Sequence, residues 1–173
     1  MSLKRAISGF TMVELITVML IIGIMAAVAI PRFNDRTFVE KAFRDAVITA
    51  VQHGRRMAVA GRRFTCVNVT PGVGPTALVE LRRDTTVLES VVSVSCSGAS
   101  GVALNLPAPG RDCAAGSANQ VCAPNGVTLG GSSLIFDPLG RLVTAGKVVA
   151  SAAATITIAS FTITIQPETG AVQ

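Results

Sequence analysis

The sequence predicts an α+β protein, in which a long N-terminal helix packs on antiparallel β-sheet. Three patterns support this fold class. An apolar run with no charge except Glu14 extends from Phe10 to Ile30. Apolar residues then recur with a period near 3.6 up to Gly61 and alternate with a period of two beyond it. A helix on one face of an antiparallel sheet is the arrangement that this order of elements favours.

Four segments follow from these patterns. They are an N-terminal peptide of residues 1–9, an apolar helix of residues 10–30, its amphipathic second half of residues 31–61, and a β-rich globular domain of residues 62–173. The chain has seven Phe and no Trp or Tyr, so the core is expected to consist of Val, Ile, Leu and Ala. A chain of 173 residues has room for one domain beside the apolar helix.

Glu14 is the one charged residue of the apolar helix. At about 1.5 Å per residue the helix is roughly 31 Å long, which predicts a single membrane span. A carboxylate inside such a span is unfavourable by a few kcal/mol, so Glu14 indicates a function. Alternatively, Glu14 extends from near the helix end to the lipid headgroups.

A cut after Gly9 would give Glu14 a partner. The new α-amine on Phe10 would lie one helical turn before Glu14, and the amine of another such helix would neutralise the carboxylate. Lys4-Arg5, the Gly9-Phe10 junction, Glu14 and the apolar helix together resemble the signal of type IV prepilins and type II secretion pseudopilins. The resemblance implies that a prepilin peptidase removes residues 1–9 and N-methylates Phe10.

The same resemblance implies roles and partners. Glu14 would pair with the Phe10 amine of a neighbouring subunit, and Gly23 and Pro31 would let the helix loosen in a filament. The expected partners are other pilin or pseudopilin subunits through the N-terminal helix, the prepilin peptidase, the inner-membrane assembly platform and membrane lipid. The expected location is the inner membrane, single-pass, with the globular domain in the periplasm, and then a pilus or pseudopilus.

Residues 31–61 predict an amphipathic helix. Thr37 and Glu40 have the spacing of a capping box, and Gly61 is a suitable C′ residue. Beyond it we predict strands at residues 64–70, 77–82, 92–96, 133–136 and 141–144, a type I turn at 137–140, and a loop over 98–131.

The last strands change phase. Ile156 and Ile158 occupy even positions, whereas Phe161, Ile163 and Ile165 occupy odd ones, so residues 159–160 must hold a turn or a bulge for all five to face the core. Residues 134–141, 161–165 and 168–170 resemble the final strands of the GspH/FimT family, which implies a minor pilin or minor pseudopilin.

Four cysteines are expected to form two disulfides in an exported domain: Cys66, Cys96, Cys113 and Cys122. Three pairings are possible, and we favour Cys66 with Cys96 and Cys113 with Cys122 because the second pair closes a short loop of small residues. The alternative is buried free thiols in a reducing compartment. The chain has one histidine and no C-x-x-C pair, so we predict no metal site, no cofactor and no catalytic residues.

Three pairs of adjacent arginines are candidate contacts to DNA phosphates: Arg55 and Arg56, Arg62 and Arg63, and Arg82 and Arg83. Pilins of the FimT type are associated with DNA uptake, which makes a DNA-binding minor pilin the alternative function. The segment after Phe161, however, has no Lys or Arg, unlike the basic C-terminal region expected of DNA-binding members. The formal charge of +5 falls to +3 once Lys4 and Arg5 leave, too little to indicate a polyanion partner. The alternative for the arginines is solvation or contact with acidic neighbours in the filament.

Overall fold

The structure, a computed structural model, describes residues 10–29, 36–85, 93, 94, 96, 101–110, 112, 113 and 117–173. The chain divides into two compact units, Met1–Phe38 and Val39–Gln173. The first unit contains helix α1, Met12–Ala29. The second contains nearly all of helix α2, Arg36–Gly61, and the β-strands.

Helix α1 carries exposed apolar side chains along its described part. Met12 is 81% exposed, Leu15 48% and Met25 69%. A helix that is apolar on every side is normally buried, so this surface is expected to be covered in the working protein. Within the described ranges, the structure contains no helix that meets both the length and the apolarity needed to traverse a bilayer.

Helix α2 buries one face, as its predicted period requires. The buried positions recur every three or four residues: Phe43, Val47, Ala50, Val51, Gly54 and Ala58. Gly54 permits a close approach to the sheet, because a Cβ there would lie 3.0 Å from Val67 Cγ2. Thr37, the predicted N-cap, lies inside the helix, since α2 already includes Arg36.

The C-terminal cap of α2 differs from the prediction. Gly61 is still helical, and Arg62 takes the left-handed conformation, with φ 47°. The Arg63 N–H donates to Ala58 O at 3.2 Å and the Arg62 N–H donates to Val59 O at 3.4 Å, which is the Schellman arrangement. Arg62 is therefore the C′ residue, at a position where a side chain costs about 1 kcal/mol relative to glycine.

We expect Arg62→Gly to raise the free energy of unfolding by about 0.5–1 kcal/mol, because glycine adopts a positive φ without steric cost. Arg56→Gly is the matched control, and should lower it by about 1 kcal/mol because Arg56 lies within the helix. Urea unfolding of the full chain in detergent measures both. Equal destabilisation by the two changes would contradict the assigned cap.

Two antiparallel sheets make up the described β-structure. The larger contains β1 (Thr65–Thr70), β3 (Leu78–Asp84), β4 (Gly101–Ala103), β5 (Gln120–Cys122), β7 (Leu134–Phe136) and β8 (Leu142–Val143). The smaller contains β2 (Gly72–Val73), β6 (Thr128–Gly131), β9 (Ala154–Ile158) and β10 (Phe161–Ile165). The strand order is β4-β3-β1-β7-β8 in the larger sheet and β10-β9-β6-β2 in the smaller one. This helix-then-antiparallel-sheet architecture confirms the predicted fold class.

The predicted phase change is a two-residue hairpin turn between β9 and β10. Ala159 has φ 49°, and Ile158 pairs with Phe161. Ile156, Ile158, Ile163 and Ile165 are each fully buried. Phe161 is half-buried at the edge of this face, with Arg44 Cζ 5.9 Å from its ring centroid.

The predicted loop over residues 98–131 is wrong in part, because β4, β5 and β6 lie within it. Each has only three or four residues, and β4 and β6 include Gly101, Gly130 and Gly131, so no alternation is visible in the sequence. These strands form by hydrogen bonding to the longer strands beside them. Both β4 and β5 pair with β3, while β6 pairs with β2 and β9.

A small apolar cluster covers the face of the larger sheet opposite the main core. Its buried members are Phe64, Cys66, Val94, Cys96 and Val143. Residues 93, 94 and 96, which we call the strap, supply two of them, and the Val94 N–H donates to Ala145 O at 2.8 Å. The strand predicted at 92–96 is wrong for the residues described there, because 93, 94 and 96 are not in a strand, although Val94 and Cys96 are buried as the alternation predicts.

Candidate functional site

Glu14 lies in the first turn of α1. Its N–H donates to Thr11 Oγ1 at 3.3 Å, and the Leu15 N–H donates to Thr11 O at 3.2 Å. Thr11 is therefore the N-cap and Glu14 the N3 residue. At N3 the carboxylate lies close to the positive end of the helix dipole.

This geometry refines the predicted relation of Phe10 to Glu14. Phe10 and Thr11 precede the helix, so the backbone nitrogen of Phe10 is not one helical turn below the carboxylate on the same helix. Thr11 was missed by the sequence reasoning, although Thr11-x-x-Glu14 has the capping-box spacing that signals a helix start. Gly9 lies outside the described residues.

Glu14 places a negative charge at the N-terminal end of the apolar surface of α1. Phe10 is 76% exposed, and its neighbours Met12 and Val13 are similarly exposed. If this surface is covered by lipid or by other helices, the carboxylate loses water and needs a cation beside it. Gly23 lies on the same helix with nothing within 4 Å of a Cβ placed there, and Pro31 lies outside the described residues.

Both predicted disulfides are confirmed. Cys66 is bonded to Cys96, with the two Cα atoms 6.0 Å apart, and Cys113 is bonded to Cys122, with Cα atoms 5.1 Å apart. The first joins β1 to the strap, and the second ties a loop to β5. In the described part of the chain, no group of three or more His, Cys, Asp or Glu is arranged to hold a metal ion.

Arg82 is a structural residue. Its Nε donates to Cys96 O at 2.7 Å, one terminal nitrogen donates to Gly101 O at 2.7 Å, and the other lies 3.2 Å from Glu80 Oε1. Asn119 donates to the same Glu80 oxygen at 3.1 Å. The guanidinium therefore joins β3 to both ends of the segment between residues 96 and 101.

Arg83 points to the other face of the sheet, because successive side chains of a strand alternate. It lies beside the end of α2, where a Cβ at Gly61 would be 3.8 Å from one of its terminal nitrogens. Arg82 lies on the face of Cys66, with which it pairs in register. The two members of this arginine pair are thus separated by the sheet and do not form one patch.

Two other predicted arginines also hold backbone carbonyls. Arg55 Nε donates to Gly140 O at 3.3 Å, and Arg63 donates to Thr85 O at 2.7 Å. Arg56 and Arg62 are exposed. The six arginines therefore differ in their environments. Arg56 and Arg62 are exposed and available to a partner, whereas Arg55, Arg63 and Arg82 donate to backbone carbonyls.

We expect Arg82→Ala to lower the free energy of unfolding by about 2–4 kcal/mol, because two backbone carbonyls and Glu80 lose a charged donor. Arg56→Ala should change it by less than about 0.5 kcal/mol, as expected for an exposed helical residue. Arg82→Lys should recover only part of the loss, since an ammonium lacks the guanidinium fork. Urea unfolding checks all three, and an Arg82→Ala value close to that of Arg56→Ala would contradict the structural role.

Comparison with known protein families matches the N-terminus of this chain. Residues 4–30 match the prokaryotic N-terminal methylation motif. Among solved structures, the chain is similar to the type IV minor pilin FimU of Pseudomonas aeruginosa, with a TM-score of 0.47 and 15% sequence identity over 82% of this chain and 90% of that one. No curated protein matches significantly. What is shown of this chain is therefore an N-terminal methylation motif over residues 4–30, in a chain that folds as a helix followed by antiparallel sheets.

Proposed function

We propose that this protein is a minor pilin or minor pseudopilin, a structural subunit of a type IV pilus or a type II secretion pseudopilus. The observation that carries the proposal is the methylation motif over residues 4–30, together with Glu14 in the first turn of an exposed apolar helix. The same leader and helix serve both classes of fibre, so the proposal covers both. The genes beside this one distinguish them.

In this proposal, cleavage after Gly9 converts a membrane-held precursor into a subunit competent for assembly. The Phe10 amine becomes the chain's N-terminus and is N-methylated, which keeps it able to carry a positive charge. Glu14 of one subunit pairs with that amine on a neighbour, and the pairing neutralises both charges within an apolar helix bundle. Residues 10–30 hold the subunit in the inner membrane beforehand, with the globular domain in the periplasm.

We expect the native protein to begin at N-methylated Phe10. Intact-mass and N-terminal peptide spectrometry of the protein from its own cells should show the loss of residues 1–9 and one added methyl group. Gly9→Val should leave the precursor uncut because the larger side chain blocks the junction, and Gly23→Val is the matched control that should be processed normally. A native chain that still starts at Met1 would exclude the proposal.

DNA uptake is the alternative, through Arg56, Arg62 and Arg83 at the C-terminal end of α2. Arg55, Arg63 and Arg82 contribute less, since all three donate to backbone carbonyls of other segments. Duplex DNA binding by the full chain in detergent, weakening steeply with salt, is the test of this alternative. No binding at about 50 mM salt excludes it.

A further inference from the structure

An exposed apolar surface with arginines around it lies at the C-terminal end of α2. We define the Leu139 surface as Leu139, Val59 and the two arginines three residues before and after Val59 in the chain, Arg56 and Arg62, since residues three apart on a helix share a face. Leu139 is 70% exposed and Val59 47% exposed. The turn and the helix touch here, because a Cβ at Gly140 would lie 3.1 Å from Val59 Cγ2.

Leu139 is held rigidly although it is exposed. Asp137 Oδ1 accepts the Leu139 N–H at 2.9 Å and the Arg141 N–H at 2.8 Å, and the Gly140 N–H donates to Asp137 O at 2.8 Å. Because the backbone of the turn is already fixed, covering Leu139 costs little backbone conformational entropy. Such preorganisation is typical of an anchor residue in an interface.

The charge of the Leu139 surface is positive. Arg56 and Arg62 are exposed, while the carboxylate of the turn, Asp137, is buried and paired with Arg141 at 2.8 Å. Asp137 therefore does not neutralise the two arginines. Glu168 adds one exposed carboxylate on the adjoining turn, whose Gly170 packs against Arg55, and leaves the surface positive.

We propose that the Leu139 surface docks an acidic protein surface with an apolar side chain at its centre, carried by a different subunit of the fibre. This rests on the proposed function as a fibre subunit. The apolar centre favours protein over nucleic acid, because a phosphate backbone offers nothing to cover Leu139 and Val59. The arginines complement carboxylates and guide the encounter, while Leu139 supplies the buried contact.

A second copy of this chain fits the surface poorly. The formal charge of the chain is +5, or +3 once Lys4 and Arg5 leave, and the exposed carboxylate on the turn beside the surface is Glu168. Two copies that meet through this surface bring the arginines of both together, and the two Glu168 carboxylates leave the contact positive. The complementary partner is a more acidic subunit, which agrees with a protein present as a minor component beside other subunits.

The test measures peptide binding by the full chain in detergent. The probe is a fluorescein-labelled amphipathic peptide of about 15 residues with Glu on both sides of a Leu stripe. Leu139→Ser should weaken its binding about tenfold and Arg56→Gln about threefold, and about 300 mM salt should weaken it further. The matched controls, Val148→Ser for an exposed apolar residue and Arg36→Gln for an exposed helical arginine, should bind as the wild type does.

Four outcomes overturn the proposal. They are no binding of the peptide, equal binding of a probe with Ser in place of Leu, tighter binding of duplex DNA of the same charge, and self-association of the protein that Leu139→Ser abolishes. Urea unfolding of each variant verifies that the fold is intact. Because the assay does not depend on cleavage or on Glu14, its failure leaves the proposed function in place. An uncut native N-terminus removes the proposed function, and with it the fibre subunit as the partner, but leaves binding of the acidic peptide to be measured.

Discussion

Glu14→Ala is expected to reduce incorporation of the subunit into fibres about a hundredfold or more, while cleavage after Gly9 continues. The reason is electrostatic. Without the carboxylate, the Phe10 amine of a neighbouring subunit enters an apolar helix bundle as an unpaired charge, which is strongly unfavourable. Immunoblotting of sheared fibres against the membrane fraction measures the ratio, and mass spectrometry of the membrane fraction reports cleavage.

The variants of Glu14 separate charge from position. Glu14→Gln keeps the size and the polar group but loses the charge, so it should assemble as poorly as Glu14→Ala. Glu14→Asp keeps the charge at N3, next to the N-cap residue Thr11, and should retain part of the incorporation into fibres. Glu40→Ala on α2 is the matched control for loss of a carboxylate and should assemble normally. Normal assembly of Glu14→Gln would show that charge pairing is not the basis of recruitment.

Loss of the Cys66–Cys96 disulfide is expected to destabilise the globular unit more than loss of Cys113–Cys122. On the chain-entropy model, the longer loop contributes about 3.7 kcal/mol and the shorter one about 2.7 kcal/mol. The Cys66–Cys96 disulfide also holds the strap over Phe64 and Val143, which are each 5% exposed. The double variant Cys66→Ala with Cys96→Ala should therefore expose the apolar face under the strap, in addition to raising the conformational entropy of the unfolded chain.

Two measurements on the full chain in detergent test this difference. Urea unfolding should give a larger loss for the Cys66/Cys96 double variant than for the Cys113/Cys122 double variant. Hydrogen exchange should accelerate at Val94 in the first variant, where the N–H donates to Ala145 O, and stay slow there in the second. The opposite order of stabilities would mean that the strap is held by Arg82 and by packing and not by the disulfide.

Elements with a long periodic pattern were predicted correctly from the sequence. The 3.6-residue period of α2 extends over more than six turns, and the buried set from Phe43 to Ala58 follows it. The alternation of Val79 and Leu81 likewise predicted the inward face of β3, since both are fully buried, as is Ala77 just before the strand. The phase change at residues 159–160 required a turn, and a turn is present.

Short strands and the cap of α2 were not predicted correctly, and the two-residue period of strands was not applied to the Arg82 and Arg83 pair. Strands β4 and β5 have three residues each and exist because the outer edge of β3 needs hydrogen-bond partners. Glycine is the usual C′ residue, yet Arg62 takes that position one residue beyond Gly61. The separation of Arg82 from Arg83, in contrast, follows from the two-residue period and was predictable from the strand alone.

The sequence by itself determined that this chain carries an N-terminal methylation motif, because the motif lies within residues 4–30 and needs no tertiary contact to be recognised. It also determined the helix-then-sheet order, since periodicity is a local property. Only the tertiary structure decided which arginines are structural and that Leu139 joins α2 in one exposed surface. Those facts depend on contacts between residues that are distant in the chain, such as Arg55 with Gly140 and Arg82 with Cys96.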